Sequence, residues 1–490
     1  ELTINPGTAG VGGTVAWEYY NGSSWTALTS LTDDTTGFTA TGAQNVNWAR
    51  PTDWAKTTVN SGASLFFVRA RCTGVYSTNP IITQGQIASG RIYVLASEGT
   101  ALHDITDLTW DNTVGGTSID VDTPVRFIPF DDQFIILNQG GGPLTWTGTG
   151  NAASLGGSPP ANARGGAIHK SRAWIYTNTS QIWFSALNDE ADWTSADNAG
   201  SITINKGDGN IINGFFSGGD FAIISKVSPS SDGKEGALYA LFGSSPFDFE
   251  VRKIADVAAT GQEGMTSYDN FVAVCTERGI FGIQGRNVFK INDNVSPDYE
   301  DTAGEKVTTA IGRHKTTLKV FFPTTGIANN RELIYDVERG VWGFNTGKTT
   351  RVIANHPDGR FLMGTSGSSI LVWVDDTGTN DDGSAINFYW QTLDMDWGSP
   401  GTVKRISSTH LHAKNTGSYN ITVDSYNDGT AASEAQTMAV DSEGPVKKFK
   451  HRDKRGHFHA VRLTNNTADQ PITIYGATMY CEMYEPGGGK

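Results

Sequence analysis

The sequence feature that most constrains the fold is a loose repeat in the middle of the chain. Similar units, each a Gly or Asp followed by an apolar run, a glycine-type turn and another run, begin near positions 86, 125, 166, 213, 264, 308 and 352. Their spacing of roughly 40–50 residues is typical of propeller blades with four strands each. A lone blade exposes both faces, and a circle of blades covers them. The repeat therefore predicts a β-propeller over residues 84–382 with six or seven blades.

The runs inside these units are typical of strands. In the unit that begins near 166, residues 173–176 form one run, residues 178–180 a turn, and residues 181–185 the next run. Short β-branched or aromatic runs bounded by turn residues are the usual strand signal. Apolar residues with helical spacing are hard to sustain over even ~11 residues anywhere in the sequence. We therefore expect an all-β chain.

The two ends of the chain differ from the middle in residue composition and lack its repeat. Residues 1–83 are rich in Trp, Thr and Gly, and Asn21-Gly22 is a strong hairpin-turn signal. A polar stretch at 375–384 reads as a linker, and strand-like runs resume after it. The sequence thus predicts small β-sandwich domains at 1–83 and 383–490, on either side of the propeller.

Charge and cysteine content exclude several classes of protein. The formal net charge of -14 argues against a general nucleic-acid clamp, which needs a basic surface, and is compatible with a surface that DNA passes without sticking. Cys72, Cys275 and Cys481 are far apart and odd in number, so we expect buried free thiols and no disulfide framework or zinc site. The sequence contains no apolar stretch of 18 residues and opens without a basic-then-apolar leader, so neither a membrane-spanning helix nor a signal peptide is expected.

No catalytic signature stands out. The sequence has no phosphate-binding P-loop, no Gly-x-Ser-x-Gly elbow, no His-Glu-x-x-His and no Asp-box of the kind that propeller sialidases often carry. A glycosidase needs only two opposed carboxylates, and Asp and Glu are too common here to nominate a pair. We therefore predict a protein that is not an enzyme and that needs no cofactor, with a propeller glycosidase as a remote alternative.

Two His-x-His pairs are candidate metal ligands, His410 with His412 and His457 with His459. Residues i and i+2 of a strand point to the same face, so two neighbouring strands would offer four imidazoles to a metal. The alternative interpretation is that these histidines are solvated or interface residues, and it is the one we favour. Two fragments, 292–294 and 380–383, resemble parts of calcium loops, but neither completes the pattern.

One basic cluster interrupts the acidic chain. Its members are Lys447, Lys448, Lys450, Arg452, Lys454 and Arg455. They are candidates for contact with nucleic acid or with an acidic neighbour. As a charged edge they would equally discourage sheet-edge pairing, which is the interpretation we prefer. In an oligomer, an acidic subunit body would meet this basic patch of the next subunit.

Four tryptophans, Trp17, Trp25, Trp48 and Trp54, lie close together in the N-terminal region. Their faces could stack on sugars, which would make the chain a receptor- or glycan-binding protein. More often such residues form the core of a sandwich, and we favour that interpretation.

Two stretches near the ends of the chain resemble known virion proteins. Residues 14–28, with 51–57 and 67–71, resemble a small β-domain that recurs in virion proteins of tailed phages. Residues 455–463 resemble the C-terminal sandwich of phage tail propeller proteins.

Two stretches of the repeat region point to the same group. Residues 183–194 are similar to an element of phage tail propeller proteins, although Glu190-Ala191 stands where that family usually has Pro-Thr. Residues 333–342, a strand followed by Asp and then x-x-x-Gly-x-Trp, are similar to the last blades of the same proteins.

The resemblance implies a tail nozzle or tail hub (tail tubular) protein of a short-tailed bacteriophage. Such a protein is a structural part of the virion tail and forms a homohexameric ring below the tail adaptor. Its partners would be further copies of itself, the tail adaptor, tail fibre or spike proteins, and double-stranded DNA that passes through the ring during genome ejection. No stable membrane insertion is implied.

Overall fold

The computed structural model describes most of the chain. It leaves out residues 1, 43, 49–50, 52, 56, 60–63, 66, 88–92, 109, 111, 117–118, 120–123, 132, 149, 197, 230–234, 366–371, 376–377, 381–383, 415–418, 432–435, 441–445, 452–454, 471 and 485–490. The chain divides into two compact units, Glu1–Val374 and Asp375–Lys490. The second unit thus begins at Asp375, eight residues before the boundary expected at 383.

The N-terminal region folds as two small sheets around one core. Its strands are β1 (Leu2–Thr8), β2 (Val15–Tyr20), β3 (Trp25–Ala27), β4 (Thr32–Asp33), β5 (Gln44–Asn47), β6 (Thr57–Thr58), β7 (Ser64–Leu65), β8 (Val68–Cys72) and β9 (Ile81–Ile87). One sheet has the order β4-β5-β1-β9, the second has the order β3-β2-β8, and β6 pairs with β7. Ile4 and Val46 of the first sheet and Trp17 and Tyr19 of the second share a buried cluster. Since β9 pairs with β1, the boundary expected at residue 83 falls inside a strand.

Seven antiparallel sheets follow one another in the described part of the chain between Leu95 and Asp375. The first sheet contains β10 (Leu95–Glu98), β11 (Ala101–Asp104) and β12 (Asn112–Val114), and the second contains β13 (Arg126–Phe130), β14 (Gln133–Leu137), β15 (Leu144–Trp146) and β16 (Ala153–Ser154). The third contains β17 (Gly165–His169), β18 (Arg172–Tyr176), β19 (Gln181–Phe184) and β20 (Gly200–Thr203), the fourth β21 (Ile211–Ser217), β22 (Ala222–Val227), β23 (Gly236–Phe242) and β24 (Glu250–Ala255), and the fifth β25 (Met265–Tyr268), β26 (Phe271–Thr276), β27 (Gly279–Gln284) and β28 (Asn287–Lys290). The sixth contains β29 (Ala310–His314), β30 (Thr317–Phe322), β31 (Arg331–Asp336) and β32 (Val341–Thr346), and the seventh contains β33 (Thr350–Asn355), β34 (Phe361–Thr365) and β35 (Val372–Asp375). The only helices among the described residues are short: α1 (Ser296–Glu300) and 3-10 turns at Gln262–Gly264, Asp293–Val295 and Lys306–Thr308.

The seven sheets close into a circle, because each shares buried residues with the next. Buried clusters join the first sheet to the second, the second to the third, and so on to the seventh. A last cluster of Val94, Ile105 and Leu362 joins the seventh sheet back to the first. His356 of the seventh sheet also lies 2.8 Å, through Nε2, from the carbonyl oxygen of Thr106. This closed circle of seven described sheets is a β-propeller.

The repeat units found in the sequence coincide with the blades. The first strands of the second to seventh sheets begin at residues 126, 165, 211, 265, 310 and 350, within two residues of the expected starts. The first unit differs, because the expected start near 86 lies in β9 of the N-terminal sheet. Second strands such as β18 and β22 are buried throughout, since they pack against a neighbouring blade on both faces.

The C-terminal unit is a β-sandwich. Its strands are β36 (Phe388–Gln391), β37 (Val403–Ala413), β38 (Tyr419–Asn427), β39 (Thr430–Ala431), β40 (Gln436–Val440), β41 (Val446–Lys450), β42 (His459–Asn465) and β43 (Ile474–Tyr484). One sheet has the order β36-β42-β38-β39, with β40 also on β38, and the other has the order β41-β37-β43. Leu411 and Phe449 of the second sheet and Val423 and Leu463 of the first meet in one buried cluster.

The three cysteines are free thiols, as the sequence predicted. Only Cys275 is buried, and burial raises the pKa of its thiol above the usual value. Cys72 is exposed, so the expectation of a buried thiol there is wrong. It lies on the outer part of β8, whose last three residues face solvent. None of the described helices is both long and apolar enough to cross a bilayer.

Replacement of Trp174 should be the severest single change to the propeller. Trp174 is fully buried, and its ring packs on Phe184, Phe215 and Phe249 at centroid distances of 4.8, 5.5 and 5.0 Å. We expect Trp174→Ala to lower the free energy of unfolding by about 3–5 kcal/mol, because it leaves a cavity between two blades. Urea denaturation followed by far-UV circular dichroism measures this loss. Val341→Ala, at a half-exposed position, should change it by less than ~0.5 kcal/mol.

Candidate functional site

The propeller axis is crossed by a short polar segment, Gln262-Glu263, in the turn that precedes β25. Gln262 Oε1 accepts hydrogen bonds from the backbone N–H of Phe215, at 3.0 Å, and from the hydroxyl of Tyr176, at 3.1 Å. Its Nε2 donates to the carbonyl oxygen of Phe215 at 2.8 Å. One side chain of the fifth blade thus connects the third and fourth blades.

Glu263 extends the same segment toward the other side of the ring. Its carboxylate pairs with the guanidinium of Arg126, the first residue of β13, at 3.0 Å. Arg351 of β33 lies within electrostatic range of both. Burial, followed by repulsion from Arg126, lowers the pKa of Arg351, while Glu263 opposes that shift. Two guanidiniums therefore share a single carboxylate among these three residues, and Arg126 Nε is buried without a hydrogen-bond partner among the described residues.

A cavity of about 380 Å³ opens beside this ion pair. Its walls come from the first, second and seventh blades, through residues 93–97, 125–127 and 352–355, with Glu263 at the axial end. Most of the wall is apolar, and Trp110, Phe134 and Leu362 contribute to it. Its volume lies within the range of ligand pockets in general.

Sequence reasoning did not single out these axial residues. Arg126 and Arg351 lie next to the starts of two repeat units, near 125 and 352, so a first-strand position was a usable signal. Gln262 and Glu263 precede a unit start and belong to no motif. Their role follows only from how the blades converge.

The candidate histidine ligands do not converge. His410 and His412 lie on the outer face of β37, and the ring of His410 packs on Tyr480 at 4.5 Å. His459 is fully buried at the start of β42, and its Nε2 lies 3.1 Å from the carbonyl oxygen of Lys404. His457 is exposed, with Nδ1 at 3.2 Å from the carbonyl oxygen of Pro400.

The four-imidazole hypothesis required β37 and β42 to be neighbours, and that requirement is wrong. The two strands belong to different sheets of the sandwich. Across the described residues, no three His, Cys, Asp or Glu side chains are placed to hold a metal.

The basic cluster lies along a sheet edge. Lys447, Lys448 and Lys450 belong to β41, the edge strand of the three-stranded sheet, and the last two are exposed on either side of buried Phe449. The guanidinium of Arg455 lies 3.8 Å over the ring of Tyr484. Arg452 and Lys454 fall outside the described residues. The edge position fits charges that discourage sheet pairing. Contact with an acidic neighbour remains a prediction.

The other candidate motifs have structural roles where they are described. Asn292 accepts a hydrogen bond from the backbone of Ile280 and donates to Glu300, which is turn chemistry. Residues 381–383 of the second calcium-like fragment lie outside the described residues. Trp17 is in the N-terminal core, with Trp48 and Trp54 packed against it. Trp25 is partly exposed, and the guanidinium of Arg69 covers its ring at 4.2 Å.

The element at residues 183–194 folds as a compact turn in the third blade. Trp193 is buried and donates from Nε1 to the carbonyl oxygen of Glu190 at 2.7 Å. Asp192 accepts hydrogen bonds from the backbone N–H groups of Thr194 and Ser195, both at 3.0 Å. The turn packs so closely on Gly157 that a Cβ there would lie 1.5 Å from the carbonyl oxygen of Ala191. These residues hold the loop in place.

The element at residues 333–342 is a hairpin of the sixth blade. Asp336 accepts a hydrogen bond from the backbone N–H of Arg339 at 3.1 Å, and Gly340 takes a positive φ of 65°. Trp342 stacks on Tyr335 with ring centroids 4.5 Å apart. The resemblance in both elements is thus carried by residues that shape turns.

The C-terminal sandwich presents an exposed aromatic strand. Phe388, Tyr389 and Trp390 of β36 are 45%, 48% and 46% exposed. Strand β36 is an edge strand, since it pairs only with β42 among the described strands. Phe388 and Trp390 line a cleft of about 360 Å³ together with Leu463, Ile472, Ile474 and Tyr475. The run Phe-Tyr-Trp was visible in the sequence as a strand but was not singled out as a site.

Comparison with known proteins places the chain in no family. No protein-family model matches it, and no curated protein does. Among solved structures it is similar to BamB from Moraxella catarrhalis, with 13% identity over 59% of this chain and 92% of that chain and a TM-score of 0.31. It is also similar to the WD40 β-propeller domain of Doa1 (10% identity, 52% and 80% of the chains, TM-score 0.36) and to Sqt1 from Saccharomyces cerevisiae (9% identity, 70% and 95%, TM-score 0.36). Likenesses this weak carry no functional conclusion, and the propeller assignment rests on the closed circle of sheets.

Burial of His169 makes the stability of the propeller depend on pH. The ring lies between the third and fourth blades, with Nδ1 at 2.9 Å from the hydroxyl of Ser217. Burial, and to a lesser extent the charge of Lys170, lowers its pKa from 6.5 to about 4, while Asp220 opposes the shift. The folded state therefore keeps this imidazole neutral at pH values where the unfolded state binds a proton.

Stability should consequently fall as the pH drops from about 6.5 toward 4, by about 2 kcal/mol at pH 4.5 from this residue. Urea midpoints at pH 7.5, 5.5 and 4.5 test the expectation. His169→Gln, which does not titrate, should be less stable at pH 7.5 but should lose less between pH 7.5 and 4.5 than the wild type. Equal losses in the two proteins would show that His169 does not contribute.

Proposed function

We propose that this chain is a structural subunit of the tail nozzle or hub of a short-tailed bacteriophage. In this role, copies of the chain assemble into a ring, which the resemblance implies is a hexamer, below the tail adaptor. The ring encloses the channel through which DNA leaves the virion, and fibre or spike proteins attach to it. The protein has no catalytic role in this proposal.

The observation that supports the proposal most strongly is the aromatic strand β36. Two aromatic side chains of this strand, Phe388 and Trp390, are each nearly half exposed and lie at a sheet edge beside an apolar cleft. Exposed apolar patches of this kind mark protein–protein contacts more often than free surface. Aromatic residues are also enriched at the centres of such contacts. A subunit that repeats around a ring needs this kind of contact, and a heterologous interface closes into a ring when its rotation allows.

Two further features agree with a structural ring subunit. The net charge of -14 would repel DNA from a channel wall and favour free passage. The axial groups Gln262, Glu263 and Arg126 bond to one another or to the blades, which suits a rigid structural subunit. The resemblance of residues 183–194 and 333–342 to phage tail propellers supports a place for this scaffold in the virion tail.

Native mass spectrometry and negative-stain imaging of the full chain test the proposal together. We expect a closed cyclic oligomer with a central opening wide enough for duplex DNA. The double variant Phe388→Ser/Trp390→Ser should shift the population to monomers, because it removes the apolar contact. Phe344→Ser, at a propeller position that is also 45% exposed, is the matched control and should leave the ring intact.

The tail adaptor is included in a second set of samples, since ring assembly can require a template. A monomer at all concentrations, with and without the adaptor, would contradict the proposal. In that case the receptor- or glycan-binding alternative would be tested next, by glycan-array binding of wild type and Trp25→Ala.

A further inference from the structure

The first blade of the propeller differs from the five blades that follow it. Each of those five has four strands. Their first strands are the innermost, since each contacts the first strand of the next blade. The first blade has three strands in the described part of the chain. The preceding strand, β9, is paired with β1 in the N-terminal sheet.

Packing identifies the position that is not occupied by a described strand. In the third and fourth blades, the second strands β18 and β22 share a buried cluster through Trp174 and Ile224. In the first blade, Val94, next to β10, shares a cluster with Leu362 of β34, the second strand of the seventh blade. Strand β10 therefore stands in the second-strand position. The innermost position of the first blade has no strand among the described residues.

The cavity of about 380 Å³ lies at that innermost position. Residues 93–97 form one wall, and the innermost strands of the two adjacent blades, β13 and β33, form the others. The carbonyl oxygen of Val94 accepts a hydrogen bond from Ile105 at 2.8 Å, so Val94 bonds toward β11. Because backbone bonding alternates along an antiparallel strand, the N–H and C=O groups of Leu95 and Ser97 point away from β11, toward the cavity.

The cavity also has a definite charge preference at its axial end. Arg126 and Glu263 both line it, and Arg351 lies within electrostatic range of the pair. With two guanidiniums and one carboxylate, these three residues carry a net positive charge. A carboxylate brought into this end would be favoured, and an ammonium group would be repelled.

We propose that the cavity accepts an extended segment of a second, different polypeptide, which completes the first blade as its innermost strand. The segment pairs through Leu95 and Ser97 with the edge of β10 that has no described strand beside it. It presents apolar side chains to the blade walls and one Asp or Glu side chain to Arg126. Main-chain bonds supply affinity in this mode of recognition, and the side-chain pockets supply specificity. The inference does not depend on the proposed tail function, because it concerns a site within a single propeller.

A displayed library of random nine-residue peptides, panned on the full-length protein, tests the inference. We expect enriched peptides with alternating apolar residues and one acidic residue. Replacement of that acidic residue by Lys should weaken binding at least tenfold, as measured by fluorescence anisotropy of the synthetic peptides.

Two pairs of variants separate strand addition from adventitious binding. Ser97→Pro removes the backbone donor that faces the cavity and leaves the β10–β11 bonds in place, whereas Ser97→Ala keeps the donor. Ala354→Trp fills the cavity from an exposed position, whereas Ala153→Trp adds the same side chain to an exposed position of the outer strand β16. Ser97→Pro and Ala354→Trp should each weaken binding at least tenfold, and their controls by less than twofold.

Circular dichroism and thermal melting establish that all four variants are folded. The proposal is overturned if no peptide is enriched on the wild type relative to Ala354→Trp. It is also overturned if the enriched peptides bind Ser97→Pro as tightly as Ser97→Ala. Either result can occur whether or not the chain forms a ring, so it is distinguishable from failure of the proposed tail function.

Discussion

The propeller depends on one polar segment, Gln262-Glu263, that connects blades across the axis. The innermost strands converge at the axis, and their backbone groups on the axis side have no further strand to pair with. Buried backbone groups without partners are costly, so something has to satisfy them. Gln262 does this for both the N–H and the C=O of Phe215 and also binds Tyr176. Glu263 pairs with Arg126 from the second blade. Apolar packing between blades sets their spacing, and this segment fixes where they meet.

Much of the fold was predictable because a blade is a local structure. Each blade is a meander whose strands are close in sequence, so its composition and turns appear as a repeat. Six of the seven units began within two residues of the observed first strands. The predicted start of the first unit was wrong for a physical reason. The sequence of Ile81 to Ile87 is like that of a blade strand, but the strand pairs with β1 and so belongs to the N-terminal sheet. Domain boundaries shifted for the same reason, since a strand belongs to the sheet that it pairs with.

The site was much less predictable than the fold. Histidine spacing correctly placed His410 and His412 on one strand face, but nothing in the sequence shows which strands are neighbours. Glu263 and Arg126 are far apart in the chain and belong to no motif, so their approach follows from the curvature of the propeller circle. The elements at residues 183–194 and 333–342 resemble phage tail propellers in sequence, and residues within them such as Trp193 and Asp192 shape turns. A sequence resemblance that rests on turn-forming residues is evidence about the shape of the protein more than about its chemistry. This is why the proposed tail function rests on exposed surfaces and assembly.

The way the circle is closed has a mechanical consequence. The chain runs directly from each blade to the next. The seventh and first blades are neighbours in the circle but are not consecutive in the chain. In the described residues that junction consists of the contact between Leu362, Val94 and Ile105 and the bond from His356 to Thr106, with no strand shared between the two sheets. Among the described residues, this junction is therefore held by side-chain packing and one side-chain bond and not by a strand ladder. A pull across the propeller circle would load side-chain contacts at this junction, whereas between consecutive blades the connecting chain would carry the load.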